Sequence, residues 1–340
     1  MPALITHYLC GNKMLEYIED GPAKNLIQNH RNVFNLGTQG PDILFYYGAW
    51  PWTRSRGIPE IGHRMHEEKT GEFMREAFKY SESAIEASRG ILTAYLCGYV
   101  CHYVLDCHTH PYIFYKTGFV REGESYTPKY TCYHRRFESA LDVLMLDLEL
   151  GKKPPEFNSS EQIRVSPQAG AVIGEMYSSA FAAAYAGSLD AEDVSKAITD
   201  MAGISSALRD RTGIKKFFVE KAEKLVGKAP MFSSMILPRK MDGVRDYLNL
   251  LHEAWSLPWS RTSLRTASFP EMFGAATREA AVLCTEILNY VYGGSDIEKL
   301  MDLIGSRSFL TGIGCKLDAP FVSFDCIYEK DKNFVQDSID

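Results

Sequence analysis

The stretch Gly98–Tyr112, GYVCHYVLDCHTHPY, decides the fold predicted for this 340-residue chain. It completes an apolar run that begins at Gly90 and keeps helical spacing, which predicts a buried helix over 90–106. His102 and Asp106 are four residues apart, so a helix places both on one face, one turn apart. An ionised aspartate in an apolar helix is costly to bury unless a cation neutralises it, and a metal ion also keeps the imidazole neutral. This pair therefore predicts either a buried ion pair or part of a metal site.

A second stretch, YHRRFESALDVLMLDLEL over 133–150, carries the same signal. His134 and Glu138 are again four residues apart at the start of a predicted helix. Their face continues through three apolar side chains, Leu141, Met145 and Leu148, so we expect it to point into the core. Either pair alone could be a simple ion pair. Two pairs in one bundle favour a metal centre instead.

The distribution of histidine supports this interpretation. Eight of the nine histidines fall within the first 134 residues, where an even spread would place about 3.5. The nine are His7, His30, His63, His66, His102, His108, His110, His134 and His252. The eight cysteines form no CxxC pair, which is typical of reduced thiols, although a thiolate ligand from Cys101 or Cys107 stays open.

The segment 36–52, LGTQGPDILFYYGAWPW, adds a carboxylate beside a group of aromatic residues. Alone, the Pro-Asp pair that contains Asp42 predicts only a turn. The aromatics that follow could pack as core, or they could wall a pocket, since Trp and Tyr faces suit cationic head groups. The candidate pocket residues are Tyr46, Trp50 and Trp52.

Helical periodicity dominates the whole chain and predicts an all-α fold, a single multi-helix bundle. Predicted helices cover 12–19, 71–88, 90–106, 134–149, 168–186, 190–209, 215–226, 241–255, 269–292 and 295–304. Residues 21–62 and 111–131 are predicted as loops, because Gly and Pro interrupt their period. Phe321–Phe324 is a candidate strand. We expect one helical domain over 1–305, and an irregular C-terminal tail over 306–340 that packs on it.

Composition and charge exclude several classes of protein. The chain is 45% hydrophobic and 24% charged, which is typical of a globular protein rather than a disordered one. Its net charge of −6 argues against binding to duplex nucleic acid. The most apolar run, 90–105, is shorter than the roughly 18 residues of a membrane span, so no transmembrane segment is predicted. The start has no leader-like pattern, and we therefore expect a chain that begins near Met1 and is cytoplasmic.

In order, these motifs resemble the zinc-dependent phospholipase C family, which includes the catalytic domain of clostridial alpha-toxin and shares its all-α fold with single-strand-specific zinc nucleases. The resemblance covers roughly residues 1–150, with a less specific likeness over 247–255. It is carried by His7, Pro41-Asp42, the segment from His66 to Phe73, His102-x3-Asp106, a histidine before Pro111 and His134-x3-Glu138.

The resemblance implies a cluster of two or three zinc ions. One ion would be held by Asp42, His66, His102 and Asp106. A second would be held by His110, His134 and Glu138, and a third would share Asp106 and add His7. His63 is the alternative to His66, and His108 is the alternative to His110. The family's N-terminal Trp ligand has no counterpart in the start Met-Pro-Ala, which puts the third site in question.

The implied activity is metal-dependent hydrolysis of a phosphodiester or phospholipid, with Asp42 as general base as well as ligand. One alternative is a single-strand nuclease, for which Trp50 and Trp52 would supply stacking faces and nearby arginines would supply charge. A non-catalytic metal-binding helical protein is the other. A His-Asp phosphohydrolase is excluded because the chain has no His-Asp dipeptide, and the oligomeric state is left open.

Overall fold

The computed structural model describes residues 4–50, 52–120, 129–225, 233, 236–241, 243–317 and 319–329. The N-terminal residues Met1 to Ala3, two of the predicted loop residues (Gly123 and Pro128) and the tail after 329 lie outside the described residues. The structure is 66% helix and 4% strand, so the predicted all-α class is confirmed. The division into a domain over 1–305 and a tail stays a prediction.

The helical elements of the described residues follow one another with short connections. The α-helices are α1 (Leu4–Met14), α2 (Pro22–Asn29), α3 (Arg31–Gly37), α4 (Ile58–Glu67), α5 (Thr70–Ser83), α6 (Glu86–Thr117), α7 (Lys129–Leu150), α8 (Ser159–Gln162), α9 (Pro167–Tyr185), α10 (Ala191–Leu208), α11 (Ile214–Leu225), α12 (Phe269–Gly293) and α13 (Ile297–Ile304). Two 3-10 helices cover Gly40–Tyr46 and Pro154–Glu156. None of the helices among these residues has the length and apolar character that crossing a bilayer requires.

Helix α6 is the central element of the bundle. It packs against α1, α3, α5, α7, α9 and α12, and it is buried on all sides from Leu92 to Cys107. A helix surrounded in this way is hydrophobic all round, which is why its sequence shows no amphipathic stripe. The prediction ended this helix at 106, but it continues through Pro111 to Thr117. The proline removes the helical hydrogen bond to the Cys107 carbonyl, and the backbone of Gly312 packs closely against that carbonyl.

A backbone contact between α3 and α6 sets the position of the 3-10 helix that follows α3. A Cβ on Gly37 would lie 2.1 Å from the Tyr95 carbonyl oxygen, and one on Gly98 would lie 2.2 Å from the Phe34 carbonyl oxygen. The two helices can approach this closely only because both residues are glycine. The segment after Gly37 is thereby held against the middle of α6.

Several sequence predictions of local structure are wrong. The segment 21–62, predicted as a loop, contains α2, α3, α4 and a 3-10 helix, and the first helix begins at Leu4 rather than at 12. The helix predicted over 241–255 is absent from its described residues, which form turns, and an antiparallel hairpin of β1 (Trp255–Leu257) and β2 (Ser260–Arg265) begins at its end. Residues 321–324 form no strand, although Val322 and Ser323 donate backbone hydrogen bonds to the Pro258 carbonyl.

Residues 305–317 fold back over α6. The backbone NH of Cys315 donates to the Ser306 carbonyl and that of Gly312 donates to the Ser308 carbonyl, so the segment forms a closed loop. Its one fully buried side chain, Phe309, packs on the rings of Tyr99 and Tyr103 of α6. We call residues 306–315, which the hydrogen bond between Cys315 and Ser306 closes, the 306–315 loop. Through Phe309 this loop is part of the core.

Candidate metal centre

Eight side chains from five helical elements converge on the C-terminal half of α6. They are His7 on α1, Asp42 on the 3-10 helix Gly40–Tyr46, His66 on α4, His102, Asp106 and His110 on α6, and His134 and Glu138 on α7. All of them except the fully buried His102 line a cleft of about 410 Å³. The structure thus brings together every ligand that the sequence proposed.

Asp42, His66 and His102 form the first of three groups in which one possible ligand atom from each residue lies within 4.8 Å of the others. His66 Nε2 is 3.1 Å from Asp42 Oδ1. The Nδ1 atoms of His66 and His102 lie 2.7 and 3.1 Å from the carbonyl oxygens of Gly62 and Thr38. A carbonyl only accepts, so each Nδ1 carries a hydrogen, and Nε2 is the ring nitrogen that faces the cluster.

Gly40 explains why the Asp42 turn fits against His102. Its φ is +50°, and a Cβ at this position would lie 2.4 Å from His102 Cδ2. Any side chain here would be strained and would push against the imidazole. Glycine therefore allows the 3-10 helix to start beside the ring, so that Asp42 and His102 share one group.

His7, His102 and Asp106 form the second group. His7 Nε2 is 3.3 Å from Asp106 Oδ1, and His102 Nε2 is 3.1 Å from Asp106 Oδ2. The two imidazoles stack, with ring centroids 4.0 Å apart. The Asp106 carboxylate therefore faces both rings, and its side chain is only 4% exposed.

Helix α7 fixes the start of α1 and with it the position of His7. The buried carboxylate of Asp142 accepts hydrogen bonds from the backbone NH groups of Ile5 and Thr6 at 3.2 and 2.7 Å, and from Thr6 Oγ1 at 2.7 Å. These groups belong to the first turn of α1, where backbone NH groups have no partner within the helix. Sequence reasoning missed this role, because Asp142 resembles an ordinary polar residue on the predicted helix.

His110, His134 and Glu138 form the third group. Glu138 Oε1 lies 3.5 Å from His110 Nε2 and 3.1 Å from His134 Nε2. His110 Nδ1 donates to the Phe309 carbonyl at 2.9 Å and is 3.6 Å from Asp106 Oδ2. Asp106 thus lies between the second and third groups.

Phe309 is the principal residue of the site that the sequence did not indicate. Its carbonyl orients His110, its backbone NH donates to the His66 carbonyl at 2.9 Å, and its ring packs against the rings of His66 and His102. The 306–315 loop therefore supports ligands of all three groups. Most of this support comes from main-chain atoms, which leave no recognisable pattern of residue types.

The unpartnered polar atoms of the cluster fit a cation. Among the described residues, the buried atoms that make no hydrogen bond of normal geometry include several of this cluster: His7 Nδ1, His102 Nε2, Asp106 Oδ2 and His134 Nδ1. Buried polar atoms are normally satisfied, and leaving one without a partner costs free energy. Each group also mixes imidazole with carboxylate, which is the donor set that zinc accepts. The residues present therefore fit zinc.

The electrostatics of the cluster keep its carboxylates ionised. Burial would raise the pKa of Asp106, but His110, His102 and His7 hold that pKa well below its usual value. The same holds for Glu138 and Asp42. Burial would raise the pKa of each carboxyl, but His134 beside Glu138 and His66 beside Asp42 keep these pKa values below their usual range. Burial would lower the pKa of His110, yet Asp106 and Glu138 raise it to about 9. Without a metal, a proton on His110 helps to balance the buried carboxylates, and a bound cation would replace it.

The alternative histidines lie outside the three groups. His63 is exposed at the edge of the cleft, where its ring lies 4.6 Å from that of Phe45. His108 lies on another face of α6, where its Nε2 is 2.7 Å from Oε2 of Glu279 on α12. No cysteine of the described residues belongs to a group, and the Sγ of Cys107 is directed at the Ser308 carbonyl.

The structure does not bring the predicted pocket aromatics to the cleft. Trp50 donates its indole NH to Asp200 of α10 at 3.2 Å and stacks on Trp52, which is 76% exposed. Tyr46 is buried and lines a small separate cavity of about 80 Å³. A different set of aromatic side chains lines the cleft: Phe45, Phe114, Phe119, Tyr130 and Phe321. Phe114, Phe119 and Tyr130 come from the segment 111–131, which was predicted as a loop, and Phe321 comes from the candidate strand.

Comparison with known proteins agrees with this geometry. A sequence profile of the family described as zinc dependent phospholipase C matches residues 6–186, which is more than half of the chain. The matched segment contains all eight candidate ligands, whereas the 306–315 loop lies beyond it. No curated protein and no solved structure gave a significant match. On the strength of this match, the resemblance drawn from the motifs is confirmed, and the chain belongs to the zinc-dependent phospholipase C family.

Proposed function

We propose that the protein is a phosphodiester hydrolase that binds two or three zinc ions and acts on a phospholipid or a smaller phosphodiester. The observation that carries this proposal is the convergence of three ligand groups, joined by His102 and Asp106, at the floor of an open cleft. Family membership supports a phospholipase C-like activity. The ligand assignment is that of the three groups, in which His102 belongs to the first and the second, while Asp106 belongs to the second and not to the group of Asp42 and His66 as the resemblance implied.

When bound, zinc ions lower the pKa of a coordinated water and neutralise charge on phosphoryl oxygens. Asp42 is the candidate general base. Its side chain is 18% exposed, compared with 4% for Asp106 and 7% for Glu138, so it is the carboxylate of the cluster most open to the cleft. Its lowered pKa keeps it ionised and able to accept a proton at neutral pH.

The remaining residues orient the ligands and shape the cleft. The carbonyls of Thr38, Gly62 and Phe309 fix three imidazole rings, which keeps their Nε2 atoms directed at the cluster. Apolar side chains above the cluster, among them Phe114 and Phe119, exclude water and suit the apolar part of a substrate.

The cleft does not favour the nuclease alternative. Among the described residues that line it, Arg135 is the single lysine or arginine, whereas a strand-binding groove requires several cations along its length. Trp50 and Trp52, the expected stacking faces, lie elsewhere.

The proposal is tested with purified protein by counting zinc per chain and assaying metal-dependent hydrolysis. A chromogenic phosphodiester reports hydrolase activity, and phosphatidylcholine is then compared with single-stranded DNA. We expect two or three zinc ions, loss of hydrolysis on chelation, recovery with zinc and preference for the phospholipid. Bound zinc without hydrolysis of any of these substrates would favour the non-catalytic alternative.

A further inference from the structure

Helix α11 (Ile214–Leu225) presents its apolar face to solvent. None of its twelve residues, all of them described, is buried. Ile214, Phe217, Phe218 and Leu225 are 57, 54, 64 and 89% exposed. Their spacing places them on one side of the helix. A helix on the surface of a globular protein normally has the opposite arrangement, with its apolar stripe against the core.

The face of α11 that points towards the protein is largely polar. The less exposed positions recur at helical spacing: Lys216, Val219, Glu220 and Glu223. Lys216 Nζ donates to the Ile236 carbonyl at 2.9 Å, and Glu223 accepts from the backbone NH of Ser233. These contacts hold the helix through hydrogen bonds rather than through burial of apolar surface.

The N-terminus of α11 is fixed in the same orientation. The Asp210 carboxylate accepts hydrogen bonds from the backbone NH groups of Thr212, Gly213 and Lys216 at 3.1, 2.8 and 2.8 Å. Lys215 Nζ donates to the carbonyls of Ala207 and Arg209. The exposure of the phenylalanines therefore follows from a specific set of contacts, and turning the helix inward would break them.

Charge identifies the kind of partner that the exposed face fits. Two of the four lysines of the helix, Lys215 and Lys216, donate to carbonyls of the protein, and both glutamates lie on the inner face, so the other two lysines supply the charge of the exposed side. Lys221 lies within the apolar face, with its Nζ 5.2 Å from the centre of the Phe217 ring, and Lys224 borders that face. Lysine stems can lie along apolar surface while their ammonium groups extend to a polar boundary. Aromatic and aliphatic residues bordered by lysines are typical of helices that lie in the interface of an anionic membrane.

We propose that α11 docks the protein on an anionic phospholipid surface, with Phe217 and Phe218 inserted at the level of the headgroups. A second copy of the chain is a poorer partner, because a symmetric contact would bring Lys221 of both copies into one apolar interface. The proposal concerns attachment to the membrane and does not rest on the proposed hydrolysis.

The test is sedimentation of the full-length protein with vesicles of phosphatidylcholine alone and of phosphatidylcholine mixed with phosphatidylglycerol. The water-soluble phosphate ester of the head group released in the same tubes is measured, so that hydrolysis and binding are separated. We expect binding to the mixed vesicles that falls at high salt, because screening weakens the attraction of lysines to anionic lipid.

Substitutions of exposed residues make the test specific. Phe217→Ser with Phe218→Ser, and separately Lys221→Glu with Lys224→Glu, should each weaken vesicle binding by about tenfold or more. The matched control is Leu251→Ser with Leu264→Ser, two leucines that are 76 and 66% exposed outside α11. This control should bind like the wild type.

Three results would overturn the proposal. The first is a wild-type chain that does not sediment with either vesicle, and the second is a Phe217 and Phe218 double variant that binds as well as the wild type. The third is a wild-type protein that is a dimer in equilibrium ultracentrifugation without vesicles, while the same double variant is a monomer. That result would assign the apolar face to a second copy of the chain.

Discussion

Replacing Asp106 by asparagine is the most direct perturbation of the candidate centre. Its carboxylate lies 3.1 to 3.6 Å from His7, His102 and His110, and Asp106 is only 3% exposed. Asparagine has nearly the same shape but removes the negative charge, so packing is retained while an anionic ligand is lost. The variant is therefore expected to fold and to lose metal.

The size of the effect follows from the position of Asp106 between two groups. Loss of a residue that only orients a metal ligand typically weakens metal binding by about 10–100-fold. Asp106 is itself a candidate ligand and also faces an imidazole of the neighbouring group. We therefore expect a loss of more than about 100-fold in affinity, which corresponds to about 2.7 kcal/mol or more. At ordinary protein concentrations the purified variant should lack at least one zinc ion per chain and have no measurable hydrolase activity.

Zinc is counted by elemental analysis after gel filtration, and circular dichroism shows whether the helices remain. His252→Ala is the matched control, because this exposed side chain lies in a turn far along the chain and belongs to no ligand group. It should keep its full zinc content. An Asp106→Asn protein with wild-type zinc content would refute the assignment of Asp106 as a ligand.

Three further predictions concern the surroundings of the cluster. Gly312→Ala should weaken zinc binding about tenfold or more, because a Cβ at this φ of +69° would lie 2.3 Å from the Cys107 carbonyl and displace the 306–315 loop. The control is Gly294→Ala, at a position with φ of +71° and open space around its Cβ. Equal zinc binding by the two variants would contradict this role of the loop. In chelator-treated protein, the raised pKa of His110 contributes stability that is complete below about pH 6.5 and is lost as pH rises through about 9. Denaturant unfolding should show a loss of about 3 kcal/mol over that window, and a free energy independent of pH would count against the ion pairs. Finally, Phe119→Ser should raise KM for a phospholipid about tenfold while Trp52→Ser leaves it unchanged, and the reverse outcome would restore the tryptophans to the pocket.

Four of the candidate ligands could be predicted from spacing, because a helix places residues four apart on one face, whereas His7, Asp42, His66 and His110 were implied by the family resemblance. His102 and Asp106, like His134 and Glu138, are four residues apart, and this alone predicts that each pair shares a face. No comparable signal exists for Phe309, whose carbonyl and NH groups would be present with any residue type. The long-range fold, rather than the side chain, determines that this main chain reaches His66 and His110.

The loop predicted over 21–62 shows how proline can mislead. Pro22, Pro41 and Pro59 each lie in the first turn of a helical element, where the missing NH costs nothing. They start short helices that tertiary packing stabilises, rather than interrupting longer ones. The opposite error occurred at 241–255, where the apolar pattern predicted a helix. Asn249 and His252 there have φ values of 53 and 54°, which no right-handed helix allows.

The carbonyl partners of His66, His102 and His110 have a consequence for how such a centre can change. Each acceptor belongs to the polypeptide backbone, so a point substitution at position 38, 62 or 309 leaves the oxygen in place as long as the chain path is unchanged. Most point substitutions therefore leave the tautomers of these rings unchanged. The phenylalanines that border the cleft can be substituted without removing one of these carbonyl acceptors. The cleft lining can then change by substitution while the metal ligands keep their orientation. An insertion or deletion near one of these three carbonyls would shift the backbone and so alter the ligands as well.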